Sequence, residues 1–207
     1  MIKDEETKKK IREPIVICIC GMAGSGKSTL AKKLAGKYRL RHYSGGDALK
    51  ALASKGGYKT LKHGWWETEE GMLFLEKREK NPKFDEAVDK KLLELAKQGN
   101  VILDSWTMPW LLKKGFKIWL EASPEKRANR IAHRDKMGVK EALKALREKE
   151  ERTKAIYKKL YGFSLGEDFK PFNLILDTDN LKSEEVFHVL CEVIDNVVFY
   201  SDNNKDF

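Results

Sequence analysis

Gly21-Met22-Ala23-Gly24-Ser25-Gly26-Lys27-Ser28 follows the apolar run Ile15-Val16-Ile17-Cys18-Ile19-Cys20 and precedes the helix-forming Thr29-Leu30-Ala31-Lys32-Lys33-Leu34. The eight residues fill the spacing G-x-x-x-x-G-K-[ST], and a strand before and a helix after are the context in which that spacing cradles nucleotide phosphates. Glycine tolerates positive φ, so backbone at Gly21, Gly24 and Gly26 can wrap until the N–H groups around Ser25 and a helix N-terminus face one anion. Lys27 is then placed for the β- and γ-phosphates and Ser28 offers its hydroxyl to Mg²⁺, with Thr29 next in line. The expected ligand is a nucleoside triphosphate with Mg²⁺.

Short apolar runs recur along the chain at residues 15–20, 40–43, 101–103, 116–120 and 174–176. Between them lie amphipathic stretches that predict helices over 29–38, 47–54, 85–98, 124–136, 140–161 and 183–199. Five strands alternating with helices point to an α/β fold, a doubly wound five-stranded parallel sheet. Ser123-Pro124 reads as an N-cap with proline in the first turn, and Gly99-Asn100 closes the helix before the third strand. The segments 1–13 and 201–207 read as solvated tails.

At 207 residues, 41% of them hydrophobic, the chain suits one domain, residues 1–207, with a sizeable core. Its N-terminal residues lack the apolar stretch of a signal peptide and no run could span a bilayer, so a soluble, cytoplasmic monomer without membrane contact is expected. Cys18, Cys20 and Cys191 sit in apolar patterns and read as core thiols. The net charge of +9 suits acidic partners such as nucleotide phosphates, with RNA ranked behind them, because lysine and glutamate are interleaved throughout. The four histidines have no metal spacing.

Ligands of open parallel sheets bind at the carboxyl ends of strands. Asp104 ends the third strand and is the candidate to hold Mg²⁺ with Ser28, its alternative being a helix cap. Asp47 follows the second strand, where it either orients an acceptor or caps a helix. Arg127, Arg130 and Arg134 share a helix face after the fourth strand, which favours nucleotide contact for the latter two. Arg147 and Arg152 stand among glutamates that can pair with them locally. Trp65, Trp66, Trp106 and Trp110 offer either a stacking platform for a base or core packing. The guanine-reading Asn-Lys-x-Asp is missing, which favours a small-molecule phosphotransferase over a GTPase.

With Ser44-Gly45-Gly46-Asp47, Phe84-Asp85-Glu86-Ala87-Val88-Asp89-Lys90-Lys91, Lys117-Ile118-Trp119-Leu120, Ser123-Pro124-Glu125-Lys126-Arg127, Tyr157-Lys158-Lys159-Leu160-Tyr161-Gly162 and Leu174-Ile175-Leu176-Asp177-Thr178 in order, the chain resembles the archaeal-type cytidylate kinases among the nucleoside monophosphate kinases. The resemblance implies transfer from ATP to CMP or dCMP, a core of residues 14–46 and 99–199, a monophosphate-binding region over 47–98 and a lid over 134–152. It implies acceptor contacts from Ser44, Asp47, Lys50, Asp85, Asp89 and Trp106. Arg127 and Arg130 would contact adenine or phosphate, and Asp177 and Thr178 would border the adenine. Lys27, Arg130 and Arg134 would neutralise charge on the moving phosphoryl group, while no general base is needed because the acceptor oxygen is already anionic. The chain departs from the family in having Lys50, Lys90 and Lys91 at arginine positions, Asp104-Ser105-Trp106 where Glu-Gly-Arg is typical, and Ile156 for a lid-side arginine. These departures keep two alternatives open: a kinase of another small acceptor or an RNA end, and a nucleotide-dependent RNA-binding assembly factor.

Overall fold

The structure, a computed structural model, describes residues 14–61 and 64–199. The two expected tails and His63 lie outside the described residues. Five parallel strands, β1 (Val16–Cys20), β2 (Arg41–Ser44), β3 (Val101–Asp104), β4 (Phe116–Glu121) and β5 (Leu174–Asp177), form one sheet in the order β2-β3-β1-β4-β5. The register pairs Ile19 with Asp104 and Ser44 with Asp104, so the ends of β1, β2 and β3 are level. That levelling gathers the residues that follow them.

Helices cover both faces. They are α1 (Lys27–Tyr38), α2 (Gly45–Lys55), α3 (Glu69–Lys80), α4 (Lys83–Gln98), α5 (Met108–Leu111), α6 (Pro124–Asp135), α7 (Val139–Tyr161) and α8 (Ser183–Ile194). Side chains alternate across a strand, so Ile17 and Ile19 pack with Leu30, Leu34 and Leu190 of α1 and α8, while Cys18 joins Leu49, Val88 and Leu92 of α2 and α4. Each such fully buried aliphatic side chain contributes roughly 1.5–3 kcal/mol of transfer free energy. The three thiols are buried and unpaired, as their apolar setting implies.

The five strands and six helices lie where the apolar pattern puts them, with ends moved by a few residues. The last helix stops at Ile194 and a π-helical turn, Asp195–Phe199, replaces its predicted final turn. Three elements are additional: α3, α5 and a 3₁₀ turn at Trp65–Glu67. The buried stripe of α3 is Gly71, Phe74, Leu75 and Arg78. It has helical spacing but begins on glycine and ends on a charge, which conceals the period. Its start was nonetheless encoded, since Thr68 Oγ1 accepts from Gly71 N at 3.3 Å. No helix among the described residues is long and apolar enough to cross a membrane.

Candidate active site

From β1 the chain crosses β3 to reach β2, and from β3 it crosses β1 to reach β4, so the two connections run in opposite directions along the sheet, and a crevice lies outside the carboxyl ends of the strands at such a switch point. A cavity of about 540 Å³ fills it. Ala23, Gly24, Lys27, Ser28 and Thr29 form one wall, and Ser44, Asp47, Lys50, Trp66, Arg78, Asp85 and Asp89 form the other. Asp104 to Thr107 lie between them, with Glu67, Arg134 and Lys149 also in the lining.

The glycine loop has the geometry its sequence predicts. Gly21, Gly24 and Gly26 have φ of 150°, 78° and 94°. A Cβ at Gly21 would meet the Leu120 carbonyl oxygen at 2.5 Å, and one at Gly24 would meet that of Arg127 at 2.8 Å, so glycine is required by space as well as by φ. The loop is held from outside. Ala23 N donates to Glu150 Oε1 at 3.1 Å, and Ala23 O accepts from Arg127 Nη1 at 3.0 Å. Arg127 also pairs with Glu150 and donates from Nε to Ala122 O at 2.9 Å. The nucleotide contact expected for Arg127 is therefore corrected: its guanidinium is buried and committed to the loop's backbone.

Lys27 Nζ donates to Met22 O at 3.4 Å and lies 5.5 Å from the Trp106 ring centroid. Burial lowers the affinity of this amine for its proton, with the Asp104 charge acting in the opposite sense. Asp104 is 3% exposed, and its carboxylate makes no hydrogen bond among the described residues. Thr107, not Asp104, stands at the N-cap of α5, so the capping alternative falls away. A hydroxyl and a free carboxylate are hard oxygen donors that suit Mg²⁺, an ion that takes few protein ligands beside phosphate and water. Ser28 and Asp104 thus fit the metal.

The other expected residues divide by location. Ser44 caps α2 by accepting from Asp47 N at 3.2 Å, which takes the cap role away from the Asp47 side chain and leaves that carboxylate at the cavity wall. Arg130 lies outside the lining. It donates to Thr178 O at 2.8 Å, Thr178 Oγ1 at 3.2 Å and Ser25 O at 3.5 Å, tying the glycine loop to the turn after β5. Asp177 and Thr178 stand on that flank, where Thr178 Oγ1 also donates to Glu121 O at 2.9 Å. Arg134 is in the lining, held by Asp135 at 2.7 Å and by Glu67 at 3.4 Å. Arg152 grips Glu79 at 2.7 and 2.6 Å, so its partner is on α3 as well as in its own helix.

On the acceptor side, both oxygens of Asp85 accept from Arg78, at 3.1 and 2.6 Å, and Arg78 also donates to Tyr157 Oη at 3.4 Å. Asp89 accepts from Thr107 Oγ1 at 2.6 Å and Tyr161 Oη at 2.7 Å. Burial pushes the Asp89 carboxyl up from 3.8 to about 6, although the two hydroxyls oppose the shift. A carboxyl held higher in the folded state stabilises the fold below its unfolded value, and that stability is lost as pH rises through about 6. Asp89→Asn is therefore expected to flatten the change in melting temperature between about pH 4 and 6, measured beside the parent protein. Parallel melting curves for the two proteins would contradict the shift.

Sequence reasoning missed Glu67, Arg78, Thr107, Lys149 and Tyr157. Glu67 accepts from Lys149 Nζ at 2.7 Å while its other oxygen meets Arg134, so one carboxylate binds two cations at the cavity. Of the tryptophans, Trp110 stacks on Phe163 at 4.1 Å away from the cavity, Trp65 is packed in the core behind the lining it also touches, and Trp66 and Trp106 reach the lining while only partly buried.

A parallel sheet with a glycine-rich phosphate loop at its switch point, a half-buried lysine in that loop and a facing acidic wall define a phosphate-loop phosphotransferase. The sequence pattern of the cytidylate kinase-like family matches residues 16–180, and the chain belongs to that family. It is 35% identical over 188 residues to the cytidylate kinase of Methanocaldococcus jannaschii, covering 88% of this chain and 99% of that protein. To the cytidylate kinase of Pyrococcus horikoshii it is 33% identical, covering 90% of this chain and 91% of the other. Among solved structures, a shikimate kinase from Bacteroides thetaiotaomicron aligns with a TM-score of 0.56 at 18% identity, covering 87% of this chain and 98% of that one, a likeness of fold.

Proposed function

We propose that this chain transfers the γ-phosphoryl group of ATP to CMP or dCMP, giving ADP and CDP or dCDP, in the cytoplasm. The observation that carries this reading is that the phosphate loop and the acidic wall of α2 and α4, with Trp66 of the 3₁₀ turn beside it, line one cavity. The loop N–H groups and Lys27 hold the donor's phosphates, and the acceptor lies against Ser44, Asp47, Lys50 and Asp89. Asp85 acts through Arg78, which it holds in the wall. Arg130 fixes the donor end of the loop against Thr178. Ser28 and Asp104 would hold Mg²⁺, which when bound neutralises charge between phosphate oxygens. Residues 47–98 serve as the acceptor-binding region and 134–152 as the lid.

The chemistry then rests on alignment and charge. The acceptor oxygen is already anionic, so no side chain has to remove its proton, and Lys27 and Arg134 stabilise the charge spread over the transferring group. Arg134 and Lys149 are held at the cavity by Glu67, ready to exchange that carboxylate for phosphate. ADP release from ATP–Mg²⁺ is expected with CMP and dCMP, and little with UMP, AMP, GMP or no acceptor. Turnover with another acceptor and none with CMP or dCMP would overturn the substrate assignment. Silence throughout, with salt-sensitive RNA binding, would overturn the enzymatic one.

A further inference from the structure

Trp106 stands where the donor and acceptor halves of the cavity meet. Its indole Nε1–H donates to the Gly21 carbonyl over 2.6 Å, close for an N–H···O bond. Gly21 is the first residue of the phosphate loop, so this bond fixes the peptide at the loop's entrance. The ring face is 5.5 Å from Lys27 Nζ, within reach of a cation–π contact. On the other side, Thr107 bonds Asp89 of the acceptor wall at 2.6 Å. A segment of four residues, 104–107, is thus tied to both substrates' walls.

We propose that Trp106 is a positioning residue for the phosphoryl donor: its N–H anchors the loop through Gly21, and its ring holds the Lys27 ammonium until the donor's phosphates take it over. This rests on the phosphotransfer reading above but assigns the tryptophan to the donor, not to stacking on the acceptor's base. An uncharged residue does this work at the chain's departure from Glu-Gly-Arg. The half-buried ammonium needs a partner in the free enzyme, and beyond the ring its partners among the described residues are one carbonyl at 3.4 Å and the nearby Asp104 and Glu150 charges.

Trp106→Phe keeps an aromatic face for either Lys27 or a base and removes only the N–H. Its donor KM and its Kd for ADP without acceptor are expected to rise about fivefold, the acceptor KM staying unchanged. Trp106→His, which restores a ring N–H, is expected to recover most of the donor KM. A raised acceptor KM with an unchanged donor KM in the Phe variant would overturn the proposal in favour of base stacking. The parent protein supplies a second measurement should the Phe variant not fold: the ¹⁵N-labelled indole signal missing from the His variant is expected to shift with ADP and not with CMP. A shift with CMP alone would also overturn it. Failure of the parent to bind ADP or phosphorylate CMP would instead strike the functional reading itself.

Discussion

Lys27→Ala is expected to reduce CMP-dependent ADP release by about 10²- to 10³-fold in kcat or more, the scale seen when one preorganised electrostatic donor is removed from a transition state. The loss should fall on turnover and not on folding. In the free protein Lys27 makes one long hydrogen bond, 3.4 Å to Met22 O, and a ring contact, while burial works against its charge. Removing it deletes an unfavourable desolvation, so the melting temperature should hold or rise. Lys27→Arg is not expected to rescue: the guanidinium is a wide, planar fork and cannot present charge at one point as a single ammonium does. Turnover of the Ala variant within a factor of about three of the parent would remove Lys27 from the chemistry, since that is under 1 kcal/mol of barrier. Equilibrium binding of ADP, followed with the kinetics, separates lost affinity from lost transition-state charge.

The strands and the phosphate loop were legible because each is encoded locally. Residues 15–28 carry a strand, the glycines for positive φ and a helix start in a single stretch, and the structure has all three there. Asp104 and Asp47 were legible as residues at strand ends, since position alone brings them to the crevice. Arg127 was misread because its determinants are distant: Ala23 lies 104 residues before it and Glu150 23 residues after it. A helix face rich in arginine looks the same from sequence whether the guanidinium reaches a phosphate or a backbone carbonyl. Arg78 was overlooked for a related reason. It is 3% exposed, yet a charge in a Glu- and Lys-rich stretch reads as surface until Asp85, seven residues on, and Tyr157, far along the chain, are placed beside it. Glu67 depends on two cations from α6 and α7 and has no local signature at all.

The correction at Arg127 carries the largest expected effect on stability. Its side chain is 6% exposed and that of Glu150 10%, so the pair is buried, and Arg127→Met would leave the Glu150 carboxylate with the Ala23 N–H as its remaining partner. Breaking a buried pair from one side costs about 3–5 kcal/mol, and for a chain of this size each kcal/mol lowers the melting temperature by about 2–4 °C. A fall of about 6–20 °C is the product of these two ranges. The damage should also reach nucleotide affinity, because Ala23 O loses the anchor that sets the loop's curve. Two buried charges removed together leave no orphaned charge, so Arg127→Met with Glu150→Met should be less destabilised than Arg127→Met alone, although the Ala23 and Ala122 backbone groups lose their partners. Calorimetric melting of the two single variants and the double, with ADP affinity at a temperature where all are folded, completes the cycle. A fall under about 2 °C for Arg127→Met would mean less than 1 kcal/mol and put this arginine on the surface. A double variant that recovers stability but not ADP affinity would isolate what the pair does for function: the sheet can dispense with the two charges, whereas the loop needs a guanidinium on Ala23 to stay in a phosphate-binding shape.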